Sequence, residues 1–148
     1  MSTTQDCIFC KIVAGSIPAH RVGENEGALA FLDVHPLVDG HVLVVPKTHV
    51  ALVADLDDEA AAAVFRLARD VTRAQRARLG TEAVTIGVND GPAAGQVVPH
   101  VHVHLVPRHA ADGGANVHAI VSTPATRSLD EVAALLRGAE DAGGSSGA

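Results

Sequence analysis

The sequence predicts an α+β domain built on an antiparallel sheet. Three observations carry that prediction: a pair of short runs rich in Val and Leu, a long amphipathic helical segment after them, and two further extended segments after the helix. Ala28 to Asp33 (ALAFLD) and His41 to Pro46 (HVLVVP) form the first pair. The turn residues Pro36-Leu37-Val38-Asp39-Gly40 lie between them, so they read as a hairpin-like pair. Asp55 to Leu79 reads as a helix. Asp55 or Asp57 can cap its start, Val64, Leu67, Ala68 and Val71 recur at helical spacing, Arg73, Arg76 and Arg78 crowd its end, and Gly80 stops it. Glu82 to Asn89 (EAVTIGVN) alternates as a strand, Asp90 to Gln96 is a loop, and Val97 to Pro107 is the last strand. A helix between strand pairs also allows one right-handed crossover. Ser128 opens a second helix through Leu129, Val132, Leu135 and Leu136, closed near Gly138. Residues 1–138 read as one domain, and residues 139–148 (AEDAGGSSGA) have the composition of a disordered tail.

Composition narrows the function. The 148 residues hold 11 Lys and Arg against 17 Asp and Glu, a formal net charge of -6. An acidic surface repels phosphate backbones, which argues against a polymeric nucleic-acid partner. With three Phe and no Trp or Tyr there is also no platform for stacking single-stranded bases. No apolar run is long enough to span a membrane, and Met1 to Asp6 is polar and unlike a signal peptide, so a cytoplasmic protein is expected. Histidine is over-represented: nine in the chain, three of them at positions 100, 102 and 104.

On a strand, His100, His102 and His104 project from one face while Val101, Val103 and Leu105 pack on the other. Neighbours in such a row are about 6.6 Å apart and the outer pair about 13 Å apart. Two of them can share one zinc; all three around a single ion with bonds of about 2.1 Å would need a strong bend. A row of imidazoles can instead divide labour between a nucleophile or base and neighbours that orient it and donate to anionic oxygens. The preceding loop, Asn89-Asp90-Gly91-Pro92-Ala93-Ala94-Gly95-Gln96, is small enough for backbone N–H groups and the Gln96 amide to approach a phosphate, though an ordinary connecting loop has the same composition. Cys7-x-x-Cys10 reads as metal, redox or two packed thiols. A structural zinc needs two further ligands, and a redox pair needs a strand-helix context that this segment lacks.

The segment His100-Val101-His102-Val103-His104-Leu105-Val106 fits the histidine triad (HIT) signature at every position. Gly95-Gln96 stands before it at the family spacing and Pro107-Arg108 after it. Upstream, Phe9-Cys10-Lys11-Ile12, Ile17-Pro18-Ala19, Ala30-Phe31-Leu32-Asp33, Pro36, Gly40-His41 and Val45-Pro46-Lys47-Thr48-His49 resemble the family's N-terminal half. The resemblance runs from Asp6 to Arg108 and is strongest to bacterial Hint-like members.

That resemblance implies a HIT-like fold, with about five strands, one long helix and a short N-terminal helix. It implies a nucleotide hydrolase or transferase that separates a nucleoside monophosphate, AMP foremost, from a phosphoramidate or phosphoanhydride leaving group. By the same match His102 is the nucleophile, His104 contacts phosphate oxygens, His100 orients the row, His41 is a fourth histidine beside it and Gln96 touches the phosphate or leaving group. Asp33 accepts the ribose hydroxyls, Phe9, Ile12, Phe31, Leu32 and Val34 wall the nucleoside pocket, and Asn89, Gly95 and Val97 complete the nucleotide site. Val97 departs from the Ser or Thr of many members, and the lost hydroxyl costs about 1–3 kcal/mol if it donates in the transition state. Some bacterial members hold a structural zinc, for which Cys7, Cys10, His49 and His100 match here; no metal is required for the chemistry. The resemblance further implies a homodimer joined through the long helix and an edge strand. The alternatives are a purine-nucleotide-binding regulatory protein with negligible turnover, kept open by Val97, and a zinc hydrolase, which the spacing of the triad disfavours. His20, His35, His109 and His118 receive no role.

Overall fold

The computed structural model describes residues 4–141, with only the backbone of residues 139–141. The chain divides into two compact units between Gly114 and Ala115, whereas the sequence reads as one domain through residue 138.

The first unit holds two helices and a five-stranded sheet. Helix α1 is Ile8–Val13, followed by strands β1 (Arg21–Glu24), β2 (Ala28–Leu32) and β3 (Val42–Pro46), helix α2 (Asp58–Leu79), and strands β4 (Ala83–Gly87) and β5 (Val103–Arg108). The strand order is β1-β2-β3-β5-β4 and every neighbouring pair is antiparallel, so β5 sits between β3 and β4 and the α2 connection steps across it.

β2 and β3 are apolar without interruption because both of their faces are covered, and alternation sorts them. Ala28, Ala30, Val42, Val44, Val103 and Leu105 meet α2 through Ala63, Val64, Leu67, Ala68 and Val71. Leu29, Phe31, Leu43 and Val45 meet Cys7, Phe9, Cys10 and Ile12 at α1. α2 starts at Asp58, not Asp55. The Asp57 carboxylate accepts from the Ala60 N–H at 2.7 Å, while Val53–Asp55 closes a separate 3₁₀ turn. Gly80 ends the helix at φ +65°.

The expected last strand is the main correction. It begins at Val103, so residues 97–102, with His100 and His102, lie outside the ladder. The physical reason is Pro46. The β3–β5 register would set it across from Val101, and proline has no N–H to give. The Pro46 carbonyl takes the His100 ring instead, at 2.8 Å, and the Val101 N–H turns to the Val50 carbonyl at 2.7 Å. The strand read over Glu82 to Asn89 is likewise shorter, Ala83–Gly87. β1, which no residue pattern announces, is four residues long and broken by a register shift between Arg21 and Gly23.

The second unit contains a 3₁₀ turn, Val117–Ala119, and helix α3, Leu129–Asp141. Ser128 and Glu131 form a reciprocal cap, Ser128 N–H to Glu131 Oε2 at 2.8 Å and Glu131 N–H to Ser128 Oγ at 3.2 Å. The helix runs three residues past Gly138, and the expected tail lies outside the described residues from 142 onward. No helix among the described residues is long and apolar enough to cross a membrane.

Candidate functional site

Backbone neighbours place the ring hydrogens, directly for His100 and His102 and by way of His41 for His104, because a backbone carbonyl only accepts and a backbone N–H only donates. His102 Nδ1 lies 2.7 Å from the His100 carbonyl, so Nδ1 carries the hydrogen and Nε2 keeps a free lone pair. His100 Nε2 donates to the Pro46 carbonyl, which leaves its Nδ1 lone pair facing the cysteines. His41 Nδ1 accepts from the Leu37 N–H at 3.2 Å, so its proton sits on Nε2, pointed at His104 Nδ1 2.9 Å away. His104 therefore carries its hydrogen on Nε2. Asp33 lies close behind: Oδ2 is 3.6 Å from His41 Nε2, and Oδ1 accepts from the His35 N–H at 2.9 Å.

The triad is split rather than aligned. The His102 and His104 rings are 5.2 Å apart, with the Phe9 ring 5.1 Å from His102, while His100, fully buried, turns to the cysteine pair. Burial pushes His41 and His104 below the ordinary imidazole value, with Asp33 opposing; for His104 the neighbouring His102 and His41 add to the fall. These rings stay neutral near pH 7, the state in which imidazole attacks or donates without carrying charge.

Among the described residues, two groups of side chains have metal-binding spacing, Cys7–Cys10–His49–His100 and Asp33–His41–His104. In the first, His100 Nδ1 is 3.4 Å from Cys7 Sγ, 3.6 Å from Cys10 Sγ and 3.3 Å from His49 Nδ1, and Cys10 Sγ is 3.3 Å from His49 Nδ1. A tetrahedron with bonds of about 2.0–2.3 Å has edges of about 3.3–3.8 Å. The outer nitrogen of His100 donates to a carbonyl, as a metal-bound imidazole requires. Cys7 caps α1 and its Sγ accepts from the Cys10 N–H, which sets both sulfurs at one helix end. Burial and the adjacent Cys7 push the Cys10 thiol up to about 11, since nothing offsets a second negative charge there. The residues fit zinc. The Asp33 group does not: the outer nitrogen of His41 faces a donor, so its proton must occupy the very nitrogen that would bind metal.

A cavity of about 350 Å³ opens beside His104, lined by Asp33, His35, Leu37, His41, Thr85 and Asn89 among others. A larger concavity of about 960 Å³ at the start of α2 is walled by Asn25, Lys47, Asp57, Asp58, Glu59 and Arg66. None of its lining residues is a histidine, whereas the smaller cavity is lined by His35, His41 and His104.

The remaining expected residues fall as follows. Phe9, Ile12 and Phe31 cluster beside His102, with the two phenyl rings 5.7 Å apart. Leu32, one step along β2, points to the α2 side and packs there, away from Phe31. Val34 and Val97 are exposed, at 77% and 89%. Gly95 ends a 3₁₀ turn at φ +95°. Both ends of the Gln96 carboxamide are engaged, Oε1 with the Gly91 N–H and Nε2 with the Ala51 carbonyl, each at 2.8 Å, so Gln96 closes the loop it belongs to. Sequence reasoning missed His35 and Leu43. His35 stands two residues after Asp33, and Leu43 faces His104 across the β3–β5 ladder and packs with Phe31. The alternation along β3 was the available signal for Leu43.

His102 and His104 side by side, with His41 bonded to His104 at the edge of an open cavity, define a histidine-centred site. The chain belongs to the HIT domain family, whose profile matches residues 14–111. It is 42% identical over 111 residues to adenosine 5'-monophosphoramidase hnt1 of Schizosaccharomyces pombe, covering 75% of this chain and 80% of that protein. Among solved structures it superposes on a zinc-bound histidine triad family protein from Mycobacterium smegmatis with TM-score 0.71 and 36% identity, covering 98% of this chain and 100% of that one. It also superposes on a histidine triad nucleotide-binding protein from Candida albicans with TM-score 0.74 and 30% identity, covering 92% and 96%.

Proposed function

We propose that the protein hydrolyses the bond between a nucleoside monophosphate, AMP foremost, and its leaving group, through a covalent nucleotidyl group on His102. The observation that carries this reading is the His102 Nδ1 bond to the His100 carbonyl, which leaves Nε2 as a neutral nucleophile. In the first step His102 Nε2 bonds to the α-phosphorus as the bond from phosphorus to the leaving group breaks. A phosphoramidate nitrogen departs as an amine, taking a proton from solvent water. In the second step water attacks phosphorus and gives its proton to the solvent, replacing the one taken in the first step, while the P–Nε2 bond breaks with its electron pair returning to His102 and the monophosphate is released. His104 Nε2–H donates to a phosphoryl oxygen as charge develops, held by the His41 proton on its other nitrogen. Asp33 accepts from the ribose, and Phe9, Ile12 and Phe31 supply the apolar wall.

The cluster of Cys7, Cys10, His49 and His100 holds a structural zinc in this reading, supported by its donor spacing and by the zinc-bound relative. The ion would tie α1 to the segment that enters the catalytic strand.

The test is release of AMP from adenosine phosphoramidate by the wild type and by His102→Ala. Wild-type turnover with loss of at least about 10³-fold in the variant is expected; equal rates would reject the mechanism. Val97 favours a second reading, nucleotide binding with negligible turnover. Tight AMP binding without turnover of phosphoramidates, dinucleoside polyphosphates or adenylyl sulfate would select it.

A further inference from the structure

Gln75 is the one polar member of the buried stripe of α2, 3% exposed among Ala60, Ala63, Val64, Leu67, Ala68 and Val71. A carboxamide taken out of water destabilises unless its groups are bonded. Nε2 of Gln75 donates to the Gly40 carbonyl at 2.8 Å and to the Leu105 carbonyl at 3.2 Å. Two carbonyl acceptors settle which end of the amide faces them. Oε1 accepts from no described residue. Packing alone does not explain this, because an apolar side chain of the same shape would fill the space without stranding a buried oxygen.

The two carbonyls belong to the residue before His41 and the residue after His104. The β3–β5 ladder ends at Val42 opposite Leu105. Two residues further the register sets Gly40 across from Pro107, and a Cβ on Gly40 would lie 3.4 Å from Pro107 Cγ. Pro107 has no N–H, so the ladder cannot supply a donor to Gly40. Gln75 supplies it from α2. Gly40, at φ +88°, takes a left-handed backbone conformation that favours glycine. The end of α2 thus reaches both main-chain segments that bear the coupled histidines.

We infer that Gln75 is a positioning residue: by holding the Gly40 and Leu105 carbonyls on one amide nitrogen, it sets the 2.9 Å contact between His41 and His104 and so the aim of His104. The inference rests on the reaction proposed above for its kinetic consequence, but its geometric part does not.

Gln75→Met removes both donors at similar volume. Nitrogen-15 spectra of the imidazoles read the His41–His104 contact without substrate. In the variant the His41 Nε2–H signal should shift and broaden, while the His100 signals hold. For adenosine phosphoramidate, kcat should fall about tenfold with KM within about twofold, the pattern of misaligned chemistry rather than weakened binding. Gln75→Asn, one methylene short of spanning both carbonyls, should behave like Gln75→Met. Unchanged imidazole signals, or an unchanged kcat with only a lower Tm, overturns the inference. If the wild type releases no monophosphate, the functional reading fails and the spectra still decide on Gln75. Should neither variant fold, the wild type is decisive: its two Gln75 Nε2 protons should exchange slowly with solvent, and rapid exchange contradicts the clamp.

Discussion

A neutral imidazole has one lone pair and one N–H, and the nitrogen that holds each decides whether the ring attacks, donates or binds a metal. The backbone makes that choice at three places here. The His100 carbonyl holds the hydrogen on Nδ1 of His102, the Pro46 carbonyl holds it on Nε2 of His100, and the Leu37 N–H forces the His41 proton toward His104. The identities of these histidines are legible in the sequence; their partners are not, because each partner is a main-chain group brought in by the fold. Asp33, His41 and His104 meet from positions far apart in the chain, and nothing in local spacing announces it. Val97, which the resemblance sets against the Ser or Thr of many members, is 89% exposed and contributes little to packing. Val97→Ser should therefore leave Tm unchanged and raise kcat, by about 5- to 150-fold if a hydroxyl donates in the transition state. An unchanged kcat in steady-state assays would show that position 97 does not limit the rate.

At the scale of elements, the long, periodic segments are readable and the short ones are not. α2 follows from its caps and its apolar stripe, and β2 and β3 from their apolar runs. α1 has six residues and β1 four, too few for a period, and only the family resemblance implied the former. The early start read for β5 failed because alternation alone cannot reveal that Pro46 stands opposite Val101. The ion proposed at Cys7, Cys10, His49 and His100 would couple three such short segments, which bury little surface on their own. Removing it by chelation, or breaking the set with Cys10→Ser, should lower Tm by at least about 5 °C. A Tm indifferent to chelator, in protein whose metal content has been measured before and after, would show that the cluster is a packed pair of thiols.

For the whole molecule, acid stability follows from the buried rings. His41 and His104 lie below their ordinary value of 6.5. As pH falls through about 6.5 the unfolded chain binds protons that the folded chain refuses, so acidification favours unfolding, by at most about 1.4 kcal/mol per pH unit per ring. The stabilisation is complete above that value and is lost toward the lower, folded-state one. Thermal melts should therefore give a lower Tm at pH 5.5 than at pH 7.5, with a shallower dependence in His41→Asn. A Tm that stays level or rises on acidification would contradict the burial of these rings as neutral groups. The negative net charge argues against polymeric nucleic acid but not against a mononucleotide, since one phosphate can be held by imidazole and backbone N–H groups.

The central claim is a covalent bond between His102 and a nucleotide. Acid-quenched turnover of adenosine phosphoramidate, followed by peptide mapping in a mass spectrometer under conditions that spare phosphoramidates, reads it directly. The account predicts an adenylyl group on the peptide bearing His102, formed and lost at rates consistent with kcat and absent from His102→Ala. Efficient turnover with no adduct on any histidine, or with the adduct on His104, would contradict it.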